Sequence, residues 1–187
     1  MPMPRLVAIC GNSARPSKSR ALVEAAAAEV ARLRRVDLRS YDLVDAGPGL
    51  GAAFAREALT LPAARVVDAI EAADALIVGT PVHNGSYTGL FKHLVDFVRP
   101  AALAGKPVLL TASGGGARHA LVVEHALRPL FAAFEAHTLP TAVYAGADDF
   151  ADGRPVDPVV LRRLADAAAQ LAAALDRPAG RLAAGAA

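Results

Sequence analysis

Apolar positions along this chain fall into two textures that alternate. Short unbroken runs such as Leu6-Val7-Ala8-Ile9-Cys10, Ala75-Leu76-Ile77-Val78 and Val108-Leu109-Leu110 are too short for helices and have no polar face. They read as strands buried on both sides. Between them, apolar residues return every three or four positions, as in Val160, Leu161, Leu164, Ala168 and Leu171, the mark of a helix with one buried stripe. The pattern predicts strands near 5–10, 36–41, 74–79, 106–112 and 139–144. Helices are predicted near 18–34, 52–59, 62–72, 88–98, 117–136 and 157–175, with a Gly/Pro loop at 45–51. Alternating strands and helices predict an α/β architecture, a doubly wound parallel sheet with helices on both faces. A single domain over 1–176 is expected, followed by a flexible Gly/Ala/Pro tail over 177–187.

In such a sheet, ligands bind in the crevice beyond the carboxyl ends of the strands. Two strand-to-helix loops carry unusual text. After the first strand comes Gly11-Asn12-Ser13-Ala14-Arg15-Pro16-Ser17-Lys18-Ser19, at the start of an Ala-rich helix. A helix N-terminus offers unpaired N–H groups and about half a positive charge, and hydroxyls and a guanidinium add directional donors for phosphate oxygens. The competing reading is that Ser17 or Ser19 only caps the helix. After the third strand comes Thr80-Pro81-Val82-His83-Asn84-Gly85-Ser86-Tyr87-Thr88-Gly89, with Gly85 and Gly89 free to adopt backbone angles other residues avoid. A third loop, Ser113-Gly114-Gly115-Gly116, follows the fourth strand and would let backbone approach a flat ligand, or is a plain flexible turn.

Several chemistries are excluded. There is no G-x-x-x-x-G-K-[ST] phosphate loop and no G-x-G-x-x-G dinucleotide fingerprint. A hydroxyl-and-arginine loop suits a single terminal phosphate, as on FMN. The five histidines have no metal-site spacing, and there is no G-x-S-x-G nucleophile elbow. No acid–base dyad stands out, so no catalytic side chain is assigned and no metal is expected.

These loops carry a resemblance. The first is similar to the G-S-x-R-x-x-S-x-[ST] phosphate loop of the NAD(P)H-dependent FMN reductases. Thr80-Pro81-Val82-His83 resembles that family's T-P-V-Y, with His83 in the tyrosine position, and Tyr87 to Lys92 resembles its Y-S-G-x-x-K continuation. Ser113 to Gly116 resembles its third flavin loop, and the likeness, which spans about 5–145, is strongest to the branch serving sulfonate-using monooxygenases. The resemblance implies a flavodoxin-like fold with five strands in the order 2-1-3-4-5. It implies FMN and NAD(P)H as cofactors, with flavin held by Ser13, Arg15, Ser17, Lys18 and Ser19, by Pro81, Val82, His83, Asn84 and Gly85, and by Ser113, Gly114, Gly115 and Gly116. Hydride would pass from nicotinamide to flavin, and reduced FMN to a partner monooxygenase. The alternatives are an enzyme that keeps its FMN and reduces quinones, azo dyes or metal oxyanions, and a non-catalytic FMN electron carrier.

Composition adjusts this picture. Net charge is +2, with no basic patch for nucleic acid, and the mildly basic balance argues against an acidic electron carrier. No apolar run is long enough for a membrane span and no signal-peptide plan is present; the lone Cys10 reads as a core residue, so a cytoplasmic protein is expected. Aromatic residues are only 5% and tryptophan is absent, which leaves few stacking platforms and favours exchangeable flavin. Lys92 reads as a surface lysine; His119 is open between a flavin neighbour and a solvated residue. Pro129 cannot donate to the carbonyl of residue 125, so a kink or π-bulge is expected near His125. In the family resembled, the matching helix lies at a subunit interface, which implies a homotetramer or homodimer.

Overall fold

The computed structural model describes residues 3–176; the tail expected over 177–187 lies outside the described residues. Five strands form one parallel path in the order β2-β1-β3-β4-β5. They are β1 (Arg5–Cys10), β2 (Asp37–Asp42), β3 (Ala75–Pro81), β4 (Pro107–Ser113) and β5 (His137–Thr138). A further short strand, β6 (Val143–Ala145), also pairs in parallel with β4. The flavodoxin-like order expected from the sequence is therefore present, with its direction of winding reversing between β1 and β3.

Alternate residues of the central strands enter opposite layers. Val7, Ile9, Leu76, Val78, Val108 and Leu110 face one core, which holds the apolar sides of α3 (Leu61–Ala72) and α4 (Gly89–Asp96). Leu6, Ala8, Cys10, Ala75, Ile77 and Leu109 face the other, against α1 (Lys18–Leu33) and the C-terminal helix α6 (Pro158–Asp176). Helix α1 meets the sheet so closely at Gly79 that an added Cβ would stand 2.2 Å from Val23 Cγ2 and 2.7 Å from Thr111 Oγ1.

Three expectations need correction. The last strand is split: β5 and β6 flank Leu139–Ala142, where Pro140 has no N–H for the ladder. Side chains serve the gap instead. Arg128 donates to Leu139 O at 2.8 Å, Gln170 Oε1 accepts from Thr141 N–H at 3.1 Å, and Arg163 donates to Ala142 O at 2.6 Å. The helix expected over 52–59 is absent; α2 (Leu43–Ala46) precedes two 3-10 turns, Pro48–Ala52 and Arg56–Ala58. Gly47 (φ 76°), Pro48, Gly49 and Gly51 break any longer helix there. The helix expected over 117–136 is also broken. It contains a 3-10 turn (Ala117–His119), a π-helical turn (Val123–Leu127) and only then α5 (Arg128–Ala132). Here the expected bulge is present: Arg128 N–H donates to Val123 O, five residues back, just before Pro129.

At the amino-terminal end of the sheet, Glu71 holds three elements together. Its side chain is 6% exposed and accepts from Arg56 and from both the backbone and the guanidinium of Arg99. Burial alone would raise its pKa, but the two arginines outweigh that and hold it down at about 2, from an ordinary 4.5. A carboxyl depressed in the folded state stabilises fully above its unfolded value and loses that contribution as pH falls through the folded one. Stability should therefore fall between about pH 4.5 and 2. Glu71→Gln should cost on the order of 1–3 kcal/mol at neutral pH and flatten that acid limb in urea titrations; an unchanged acid limb would refute this role.

Candidate functional site

Strands β1, β3 and β4 are neighbours, so the loops leaving their carboxyl ends lie side by side. Short contacts stitch them together. Thr88 Oγ1 donates to Gly11 O at 2.8 Å and accepts from Phe91 N–H at 3.3 Å, so one hydroxyl caps α4 and ties it to the first loop. Gly11 is needed at this contact, since a Cβ would lie 2.9 Å from Phe91 Cβ. Ser19 and Ser113 share a buried hydrogen bond of 2.6 Å between the first and third loops. Val82 N–H donates to Ser113 O at 2.8 Å, between the second and third. Lys18 donates to Ala147 O at 3.0 Å and stands over the Phe150 ring, bringing in the segment after β6.

These bonds decide what each loop still offers. In the first loop, Ser17 Oγ accepts from Arg20 N–H at 3.3 Å, so its hydroxyl caps α1. Ser13 is exposed. Among the described residues, the N–H groups of Ser13, Ala14, Arg15, Ser17, Lys18 and Ser19 meet no protein acceptor. Donor after donor at the start of a 16-residue helix is the chemistry an anion selects.

Arg15 is engaged elsewhere. Its guanidinium meets Asp42 with Nε–Oδ2 at 2.8 Å and Asp45 with Nη2–Oδ2 at 2.7 Å. In the phosphate-loop pattern the arginine position falls on Ala14, and Arg15 is one residue late. The carboxylate that receives it, Asp42, is fully buried. It also takes Arg20 at 2.6 Å and Asn12 Nδ2 at 2.9 Å, and caps α2 through Val44 and Asp45. Burial opposes its charge, but these donors prevail and hold its pKa well below the carboxylate range. Asn12 gives its other amide hydrogen to Ala14 O, which leaves Oδ1 buried without a partner.

The second loop is a two-residue hairpin. His83 and Ser86 exchange backbone hydrogen bonds of 2.9 and 3.0 Å, with Asn84 (φ 50°) and Gly85 (φ 81°) at the tip. That Asn-Gly pair suits a type I′ turn. Gly89, expected to share this freedom, instead opens α4 with ordinary angles. His83, Asn84 and Gly85 are exposed, while Pro81 and Val82 are half-buried beneath them. In the third loop, Gly114 N–H is committed to Ala145 O, and its missing Cβ makes room for the Tyr144 hydroxyl, which donates to Gly116 O at 2.7 Å. Gly115 and Gly116 face open space. At the tips of the second and third loops, the amides of Asn84, Gly85, Gly115 and Gly116 meet no acceptor among the described residues.

Asn12, Asp42, Asp45, Thr88 and Tyr144 are the organising residues that the sequence reading missed. Asp42-x-x-Asp45, at the end of a strand, is a capping-box signal that could have located two of them. Other candidates resolve simply. Lys92 pairs with Asp96 on the surface. Cys10 is buried, which pushes its thiol up to about 12, and is chemically quiet. His119 accepts from Arg118 Nε at 3.1 Å.

The family described as NADPH-dependent FMN reductase matches residues 4–150. This chain belongs to that family. It is 44% identical over 168 residues to an FMN reductase (NADPH) of Pseudomonas aeruginosa, covering 90% of each protein. It is 47% identical over 148 residues to the NADH-dependent FMN reductase SfnF of Pseudomonas fluorescens, covering 79% of each. Among solved structures, an oxidoreductase from Corynebacterium diphtheriae superposes with TM-score 0.83 at 34% identity, over 92% of this chain and 97% of that one. The apo form of the NADH:FMN oxidoreductase EmoB gives 0.81 at 30% identity, over 94% and 92%. The donor set fits FMN: a nest of amides for the phosphate, then glycine backbone open to a flat ring.

Tyr144 fastens the third loop by a single hydroxyl. Tyr144→Phe should leave the melting temperature within a few degrees of the wild type while speeding hydrogen exchange at Gly115 and Gly116. Unchanged exchange there would show that the hydroxyl does not hold the loop.

Proposed function

We propose that this protein is an NAD(P)H-dependent FMN reductase that takes FMN as a substrate and delivers reduced FMN to a separate flavin-dependent monooxygenase. The observation that carries the reading is the set of uncommitted backbone amides on three adjacent loops, in a chain of the FMN reductase family. The phosphate is assigned to Ser13, Arg15, Ser17, Lys18 and Ser19, chiefly through their amides. The flavin ring is assigned to Pro81, Val82, His83, Asn84 and Gly85 on one side and Ser113, Gly114, Gly115 and Gly116 on the other.

The electron chemistry is that of FMN, which takes up a hydride from NAD(P)H when bound. The protein's task is to align two rings and offer hydrogen bonds where negative charge grows. Asn84, Gly85, Gly115 and Gly116 present such N–H donors, and their loops are braced by Ser113, Tyr144 and Thr88. No proton-transferring side chain is required. A cytoplasmic location, where NAD(P)H is supplied, belongs to the same reading.

Added FMN should stimulate NAD(P)H oxidation far beyond one turnover per protein. Purification with stoichiometric flavin, no response to free FMN and turnover with a quinone would favour a flavin-retaining reductase instead.

The proposal includes assembly into a homotetramer or homodimer. It is supported by the π-helical turn, which presents His125 to solvent beside Leu121, itself 62% exposed. Light scattering at micromolar concentration should give a mass of two or four chains, and His125→Ala should shift it toward monomer. A fully active wild-type monomer would reject the assembly.

A further inference from the structure

The only arginine in the loop assigned to phosphate is not free. Arg15 is 41% exposed; its Nε is held by Asp42 Oδ2 at 2.8 Å, and its Nη2 is shared between Asp42 Oδ1 at 2.8 Å and Asp45 Oδ2 at 2.7 Å. Arg20, the next arginine along the chain, is shared among Asp42, Glu24 and, at 3.6 Å, Asp45. Two guanidiniums thus face three carboxylates beside the amide nest; with Lys18, whose ammonium is turned to Ala147 O and the Phe150 ring, the cations only balance the carboxylates and the side chains add no net positive charge there. Asp42 cannot be the adjustable member, because it is buried and caps α2. Asp45 is 33% exposed, and its second task is to accept from Asp42 N–H at 2.9 Å.

We propose that Asp45 is a positioning residue that holds Arg15 back from the flavin phosphate and so keeps FMN exchangeable. This rests on the assignment of the phosphate to the loop from Ser13 to Ser19. A guanidinium shared with a carboxylate gives less to a phosphate than a free one, because the ion pair must first be loosened. The energy withheld is that of a partly exposed pair, enough to tune affinity without abolishing it.

The test compares FMN with riboflavin, which has the same ring system and no phosphate. Both are titrated by flavin fluorescence into the full chain. Asp45→Asn keeps an acceptor for Asp42 N–H and removes the charge; Asp45→Ser does the same with a shorter side chain and guards against a misfolded first variant. Both should bind FMN about three- to fivefold more tightly than wild type, the scale of one partly exposed ion pair. Riboflavin affinity should not move. In the Arg15→Ala background the gain should vanish, since the effect runs through that guanidinium. Turnover should show the same split, with KM for FMN falling and kcat not rising. Unchanged or weaker FMN binding in both variants would overturn the inference, as would an equal gain for riboflavin or a gain that survives Arg15→Ala. A wild-type chain that binds neither flavin would instead reject the flavin reading, and this inference with it.

Discussion

The burial of one carboxylate, Asp42, constrains the first of the three loops at the carboxyl end of the sheet. A charge with no exposed surface persists only when it is fully hydrogen-bonded and paired. Asp42 meets that demand by drawing in Arg15 from the first loop, Arg20 from α1 and Asn12 from the end of β1, while accepting from the first N–H groups of α2. The loop between β1 and α1 therefore cannot move without unpairing a buried charge.

The same economy runs through the other loops. Hydroxyls that the sequence offers as ligands, those of Ser17, Ser19 and Ser113, are used to join loop to helix or loop to loop, as is that of Thr88. What remains for a ligand is chiefly main chain, with the exposed Ser13 hydroxyl beside it. Backbone donors fixed in place cost little reorganisation when a ligand arrives. This explains why glycine, rather than an array of polar side chains, dominates the part of the site that faces open space.

The fold was legible because both faces of β1, β3 and β4 are buried, which leaves unbroken apolar runs that no helix pattern imitates. The π-helical turn was legible because Pro129 removes one specific donor. The split of the last strand was not, since it depends on Arg128, Arg163 and Gln170 reaching across from other elements. The adjacency of the three loops that form the candidate site was legible, by position and glycine content. Which side-chain atoms stay free was not, because partners such as Asp42 and Arg15, or Ser19 and Ser113, are 27 and 94 residues apart. Only local signals announce themselves in sequence, and two of those, the Asp42–Asp45 capping box and the Thr88 cap of α4, were overlooked.

A reductase whose flavin must leave after every turnover faces a limit on how tightly it can hold that flavin. Binding energy spent equally on substrate and product slows release without speeding hydride transfer. An unshared arginine on the phosphate would add a charge-assisted hydrogen bond of about 1.5–3 kcal/mol to both states alike. An aromatic platform under the ring would do the same, and this chain has no tryptophan. Tempering Arg15 and sparing the aromatics act in one direction. On the proposed assignment of phosphate and ring, they leave recognition to amides that fit the phosphate and to glycines that fit the ring, contacts that would specify FMN by shape while letting it go.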